Sequence, residues 1–386
     1  MSRARIIFID GHRHRQSSGY GEFARGILLS LLQTADFEVA ILPGAPEFDD
    51  IGLQRDLLSR IRVVANPAEG DLVFQFGQPG KRTRYARPTV LYTMFDTSRL
   101  EAEKLAALVD HDPDLVLVPN QYNKRFLDPH VRDVRVVPPR LDTNLFKPRL
   151  RSRSESREFT FIFQGGFGFR KGVDLLLEAF LAEFRRGEAR LHLHCPGMTM
   201  THANHVLRAL AGRITPPVIE IFDKSYSREW MANFYNGSDG FASLTRAEAW
   251  GLPISEAILC GRPVVTSRDW AMAEYLPADY AYFVAGERQP LERNQNPFGS
   301  AWCLTHGAPG NEFFEPLIAD ARAKLRAVVD DPDRAKRHAE HARAHLIKAF
   351  HPQRVQEILE RALRDLLAGP KPASAGDILD AGSRGS

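Results

Sequence analysis

Cysteine is scarce: Cys195, Cys260 and Cys303 are the only three in 386 residues, odd in number and widely scattered. That argues against a disulfide framework and for a reducing, cytoplasmic setting. Long apolar runs are missing as well, and none approaches the ~20 residues that cross a bilayer. The opening Met1-Ser2-Arg3-Ala4-Arg5-Ile6-Ile7-Phe8-Ile9-Asp10 has a short apolar run that charge interrupts too early for a signal peptide. We read it as a first strand. Nor is one sign of charge in excess: 51 Lys and Arg against 48 Asp and Glu leave a net charge of +3, which demands neither a nucleic-acid nor an anionic-membrane partner.

What is present is the makeup of a globular protein, 44% hydrophobic and 26% charged, on a chain too long for one hydrophobic core. Short β-rich runs alternate with helical patterns, the rhythm of βαβ units. Strand candidates in the first half are 5–9, 38–42, 61–64, 72–76, 89–92, 115–118 and 134–137. Those in the second half are 160–163, 191–194, 218–222, 240–244, 263–266 and 282–284. Each set suffices for one doubly wound parallel sheet. We therefore expect an α/β architecture of two Rossmann-like domains, 1–147 and 159–350, joined by a polar linker over 148–158 and facing a central cleft. A long helical pattern runs from about Glu312 to Leu367; its last part, 351–368, is expected to cross back onto the first domain. Residues 369–386, rich in Gly, Ser, Ala and Pro, read as a disordered tail.

Chemistry is suggested first by Glu248 and Glu256, eight residues apart around the Gly251-Leu252-Pro253 turn. Pro253 suits the first turn of a helix expected over Ser255–Leu259. A helix N-terminus favours an anion such as a diphosphate, and carboxylates beside it accept hydrogen bonds from sugar hydroxyls. Two glutamates that merely stabilise a helix start would look the same. The second motif, Ser17-Ser18-Gly19-Tyr20-Gly21-Glu22, follows the first strand and opens the first helix, where glycines let backbone N–H groups approach phosphate. An ordinary strand-to-helix turn is the competing explanation. The third is Gln164-Gly165-Gly166-Phe167-Gly168-Phe169-Arg170-Lys171-Gly172-Val173-Asp174, a glycine-rich loop whose two cations either grip a diphosphate or stay solvated.

Taken together, the glycine turn, the segment Lys171 to Phe180, and Glu248-x7-Glu256 followed by Ala257-Ile258-Leu259-Cys260-Gly261-Arg262-Pro263 resemble the retaining glycosyltransferases of the GT-B fold, family four (glycosyl transferases group 1). The resemblance covers nearly the whole chain and is strongest over 159–266. It implies a hexosyltransferase that draws on a nucleotide-diphosphate sugar, a UDP-sugar first and a GDP-sugar second, with the first domain on the acceptor side and the second binding the donor nucleotide. It implies Glu248 at the donor sugar, Glu256 at the ribose hydroxyls, Arg170 and Lys171 at the diphosphate, and Gly19, Tyr20 and Gly21 covering that group from the first domain. Gly165, Gly166, Gly251 and Leu252 complete the expected donor-binding set. No metal or other cofactor is required, since cations and helix dipoles supply the positive charge. Two departures stand out. Gly166 sits where many relatives carry arginine, so that role either passes to Arg170 or goes unfilled. Phe95 replaces a frequent histidine, making Asp96 the polar candidate unless it caps the following helix.

Two basic runs, His12-Arg13-His14-Arg15 and Lys81-Arg82-Thr83-Arg84-Tyr85-Ala86-Arg87, suit an anionic acceptor or solvated loops: a glycan, a lipid headgroup at the membrane periphery, or a modified DNA base. His192 and His194 share a strand face, but no second cluster completes a metal site. Ala285 to Trp302 reads as an insertion-like loop that gates the cleft or contacts the donor. A catalytically silent nucleotide- or glycan-binding protein of the same fold is the alternative to the enzyme.

Overall fold

The computed structural model describes residues 3–9, 18–42, 59–66, 69–78, 88–149, 158–268, 270–291 and 310–369. The basic runs 12–15 and 81–87, linker residues 150–157, segment 292–309 with Cys303, and the tail 370–386 lie outside them.

Two parallel sheets organise the described residues. The first comprises β1 (Ala4–Ile9), β2 (Phe37–Ile41), β3 (Arg62–Val63), β4 (Leu72–Phe76), β5 (Thr89–Tyr92), β6 (Leu115–Val118) and β7 (Val134–Val136), ordered β3-β2-β1-β4-β5-β6-β7. The second comprises β8 (Phe159–Gln164), β9 (Ala189–His194), β10 (Val218–Phe222), β11 (Gly240–Ser243), β12 (Val264–Ser267) and β13 (Tyr282–Val284), ordered β10-β9-β8-β11-β12-β13. Each sheet reverses its direction of growth once, between β1 and β4 and between β8 and β11. At such switch points the loops at the carboxyl ends of the strands part and leave a crevice. The central strands are apolar throughout because helices cover both faces: Ile6, Ile7, Phe161 and Phe163 are fully buried.

The helices are α1 (Gly19–Gln33), α2 (Ala102–His111), α3 (Gln121–Leu127), α4 (Val173–Glu183), α5 (Met200–Leu210), α6 (Arg228–Asn236), α7 (Leu252–Leu259), α8 (Trp270–Tyr275), α9 (Ile318–Asp330), α10 (Pro332–Phe350) and α11 (Pro352–Leu367). Helix α11 buries Val355, Leu359 and Leu363 in one core with Ile27, Leu28 and Leu31 of α1. Arg364 Nε donates to Asp36 Oδ2 at 2.6 Å, and Asp365 pairs with Arg135 at 2.8 Å, so this last helix lies on the first sheet's side.

The expected strands appear within two residues at each end. Two expectations are corrected. Helix α7 starts at Leu252 rather than Ser255, because Gly251 takes φ 85° as its cap and Pro253 fits its first turn. The stretch from Glu312 is not continuously helical: Glu312–Pro316 forms strand β15, antiparallel to β14 (Gly286–Pro290), with Phe313 and Phe314 buried. Helix follows only from Ile318 and restarts at Pro332 and Pro352, after cap residues Asp331 and His351.

Candidate active site

The loop after β8 builds one half of the site. Gly168 and Gly172 bracket a single 3-10 turn, Phe169–Lys171. Gly172 has φ 65°, and a Cβ there would lie 1.8 Å from the Leu244 carbonyl oxygen, so only glycine lets this turn seat on the end of β11. That seating brings the cations to the acids. Lys171 Nζ pairs with Glu248 Oε1; Arg170 Nη1 lies 3.5 Å from Glu248 Oε2 and donates to the Ala247 carbonyl at 2.9 Å. A Cβ on Gly165 would meet the Lys171 stem at 3.6 Å, whereas one on Gly166 would meet nothing within 4 Å. Space is therefore open at Gly166.

The first sheet contributes across the cleft. Asp96 Oδ2 is 3.1 Å from Arg170 Nε, and the helix that follows it is capped at Glu101, so Asp96 is an ion-pair partner rather than a helix cap. Phe95 is core, 4% exposed. Tyr20 donates to the Met94 carbonyl at 3.0 Å and accepts from Gln78 Nε2 at 2.5 Å, while Ser18 caps α1 by accepting from the Gly21 N–H at 3.2 Å. Asp96, Tyr20, Gly165, Arg170, Lys171 and Glu248 thus converge where the two switch points face each other.

Burial alone would raise the Glu248 carboxyl; Lys171 and Arg170 outweigh it and hold the carboxyl below the usual range. Burial, reinforced by Arg170, lowers Lys171, and Glu248 opposes the shift. Arg170 would be lowered by burial but is raised by Asp96 and Glu248.

Glu256 stands elsewhere. It accepts from the Tyr235 hydroxyl at 2.7 Å on one wall of a cavity of about 400 Å³, lined also by Glu22, Arg25, Asp142, Arg228 and Leu252. Arg228 ties the two halves of the molecule there, at 3.0 Å from both Glu22 and Asp142. Burial, reinforced by the like charge of Glu22, pushes the Glu256 carboxyl up to about 8. Glu248 and the two cations do not line this cavity. Of the expected site residues, Glu256 and Leu252 line this cavity, while Glu248 is held by the two cations.

Some residues that shape the site carried no expectation. Thr245 Oγ1 lies 3.4 Å from Glu248 Oε1, and Arg246 holds the turn from behind. A single arginine inside the largely apolar stretch Gly240–Trp250 is the signal that could have marked the latter. Of the two histidines, His194 Nε2 contacts the Lys224 carbonyl at 3.0 Å and His192 contacts Glu220 at 3.2 Å; among the described residues no group of three or more His, Cys, Asp or Glu is disposed to hold a metal.

Two doubly wound domains meeting at such a cleft define the GT-B class. Sucrose-phosphate synthase from Thermosynechococcus elongatus is similar in fold over 95% of this chain and 100% of its own, at a TM-score of 0.71 and 14% identity. Anabaena HepE, solved with UDP and glucose, matches 94% of this chain and 100% of its own at 0.64 and 15%. Residues 158–291 match the family model of the glycosyl transferases group 1. In sequence, the mannosylfructose-phosphate synthase of Agrobacterium fabrum is 30% identical over 149 residues, 35% of this chain; the match spans about a third of that relative's length, 33%. The match to the group 1 glycosyltransferases thus covers residues 158–291, and the chain as a whole has the GT-B fold. Among the described residues no helix is long and apolar enough to cross a membrane.

Proposed function

We propose that this protein is a retaining glycosyltransferase, a hexosyltransferase that moves a sugar from a nucleotide-diphosphate sugar to an acceptor hydroxyl. The observation that carries the reading is the convergence of Arg170, Lys171, Glu248 and Asp96 at the facing switch points. In the reaction the acceptor oxygen bonds to the anomeric carbon, the bond from that carbon to the diphosphate oxygen breaks, and the acceptor proton leaves with the departing phosphate or a carboxylate. Negative charge grows on the diphosphate by either route. Lys171 and Arg170 meet it, and because Glu248 and Asp96 already hold both cations in place, little reorganisation is needed when it forms. Glu248, ionised by its neighbours, accepts hydrogen bonds from the sugar, and Glu256 faces the ribose. Gly19, Tyr20 and Gly21 cover the diphosphate from α1, with Gly165, Gly166, Gly251 and Leu252 walling the donor. Since protein cations supply the charge, the reading requires no metal. UDP-sugars come first because the HepE likeness carries UDP, and GDP-sugars second.

The acceptor side is the first domain, and its basic runs favour an anionic acceptor: a glycan, a lipid headgroup at a membrane surface or a modified DNA base. A DNA acceptor predicts duplex binding that weakens steeply with salt, a neutral carbohydrate little salt dependence. The cytoplasm is the compartment this reading implies.

The test is thermal stabilisation and slow hydrolysis across UDP-, GDP- and ADP-sugars for the parent, Lys171→Ala and Glu256→Ala. One nucleotide family should raise the parent's melting temperature, and neither variant should respond. Stabilisation without any hydrolysis or transfer would favour a silent binding protein, and no stabilisation at millimolar nucleotide would remove the donor site altogether.

A further inference from the structure

Arg246 is 2% exposed, yet it carries a full charge, so its N–H donors must be met inside the protein. All five are. Nε and Nη2 donate to the Glu315 carboxylate at 2.5 and 3.1 Å, Nη2 and Nη1 to the Asp174 carboxylate at 2.8 Å each, and Nη1 to the Phe169 carbonyl at 2.7 Å. The guanidinium also lies over the Phe169 ring, 3.8 Å from its centroid. The backbone of the same residue is used too. Its N–H donates to the Arg170 carbonyl at 2.7 Å, and its carbonyl accepts the Phe314 N–H at 3.0 Å. Two successive carbonyls of the turn that carries Arg170 and Lys171 are therefore anchored to one residue.

Strand β15 extends this grip to the first domain. Asn311, just before it, accepts at Oδ1 from the Ser98 N–H at 2.9 Å, the Ser98 hydroxyl at 2.6 Å and the Arg99 N–H at 3.2 Å. Ser98 is two residues beyond Asp96, which returns to Arg170. The contacts close a ring: Asp96 loop, β15, Arg246, the Phe169–Lys171 turn, Arg170, Asp96.

We infer that Arg246 is the positioning residue for the donor diphosphate: with Glu315 it sets where Arg170 and Lys171 stand, and it touches no substrate itself. The inference rests on the donor-site reading above. A lysine at 246 keeps the charge but not the planar fork, so the turn loses its two-carboxylate anchor while the nucleoside pocket is untouched.

The readout that separates positioning from plain stability is phosphate selectivity. UDP and uridine are titrated by calorimetry into the full-length parent, Arg246→Lys, Glu315→Gln and Lys171→Ala, each first shown to unfold cooperatively. Glu315→Gln guards against misfolding, because it leaves the Asp174 pair in place. We expect Arg246→Lys to lose at least tenfold in UDP affinity and Glu315→Gln three- to tenfold, with uridine changed less than twofold in both. Equal losses for UDP and uridine, or a loss for Lys171→Ala with none for Arg246→Lys and Glu315→Gln, would overturn the positioning role and leave the donor site standing. A parent that binds UDP no better than uridine would sink the donor site, and this role with it.

Discussion

Glu248 and Glu256 are the same residue eight positions apart, yet they are driven in opposite directions. Glu248 sits between Lys171 and Arg170, which overcome its burial and keep it charged. Glu256 shares its pocket with Glu22 and Asp142, while Arg228 spends its two contacts on those acids. Burial then wins and the carboxyl holds its proton to about 8. What differs is direct pairing: Glu248 touches two cations, whereas Glu256 accepts from the neutral Tyr235 hydroxyl. One pocket is prepared to face a developing negative charge, and the other presents a carboxyl that can donate as well as accept.

The largest effect that could break this contrast is Lys171→Ala. It leaves Glu248 buried with only the longer Arg170 and Thr245 contacts, so we expect a loss of about 3–5 kcal/mol in chemical denaturation. Donor turnover should fall by roughly 10²–10³-fold, the cost typical of removing one preorganised group that meets developing charge. A stable variant with parental turnover would refute the role given to the pair.

Gly172→Ala comes next. It spoils the same pocket without touching a charge, by strain at φ 65° and a contact of 1.8 Å with the Leu244 carbonyl. We expect at least ~1–3 kcal/mol of destabilisation and weaker UDP binding, measured by urea unfolding and calorimetry.

Glu256→Gln probes the other pocket through pH. A carboxyl whose pKa is raised on folding keeps its proton in the native state while the unfolded chain gives its proton up. Below the unfolded value, near 4.5, Glu256 costs nothing; the cost grows as pH rises towards about 8 and is constant above. The parent's stability should therefore decline across that window relative to Glu256→Gln, by an amount on the order of 1–3 kcal/mol once partial exposure is allowed for. Parallel stability curves for the two proteins would show that the carboxyl is ionised after all.

The smallest expected effect is at Asp96. Its carboxylate holds the Arg170 guanidinium from across the cleft, and it is 38% exposed. Asp96→Asn should weaken UDP binding by about two- to fivefold with stability changed by less than ~1 kcal/mol, since a half-exposed ion pair contributes little. Tighter UDP binding would mean that Asp96 occupies the guanidinium rather than orienting it.

Much of this was legible in the chain. The parallel strands could be read because central strands covered on both faces must be apolar, and Gly172 because a tight turn before a helix calls for that residue. The cation pair and the two acids stood out by local spacing. Other features left little local trace. Ser98 meets Asn311 across 213 positions, and β15 was hidden in an apparently helical stretch because its partner, β14, is separated from it by 21 residues. Arg246 lies in an apolar run whose carboxylate partners are 72 and 69 positions away.

The sequence by itself determined the order of the parallel strands, the glycine-permitted turns and the candidate charges, because each depends on neighbours a few residues apart. Only the tertiary structure decided which acid is ionised, which cation faces it and how the two domains hold them. Those outcomes depend on desolvation and on charges brought together from distant segments, and neither is encoded in local spacing.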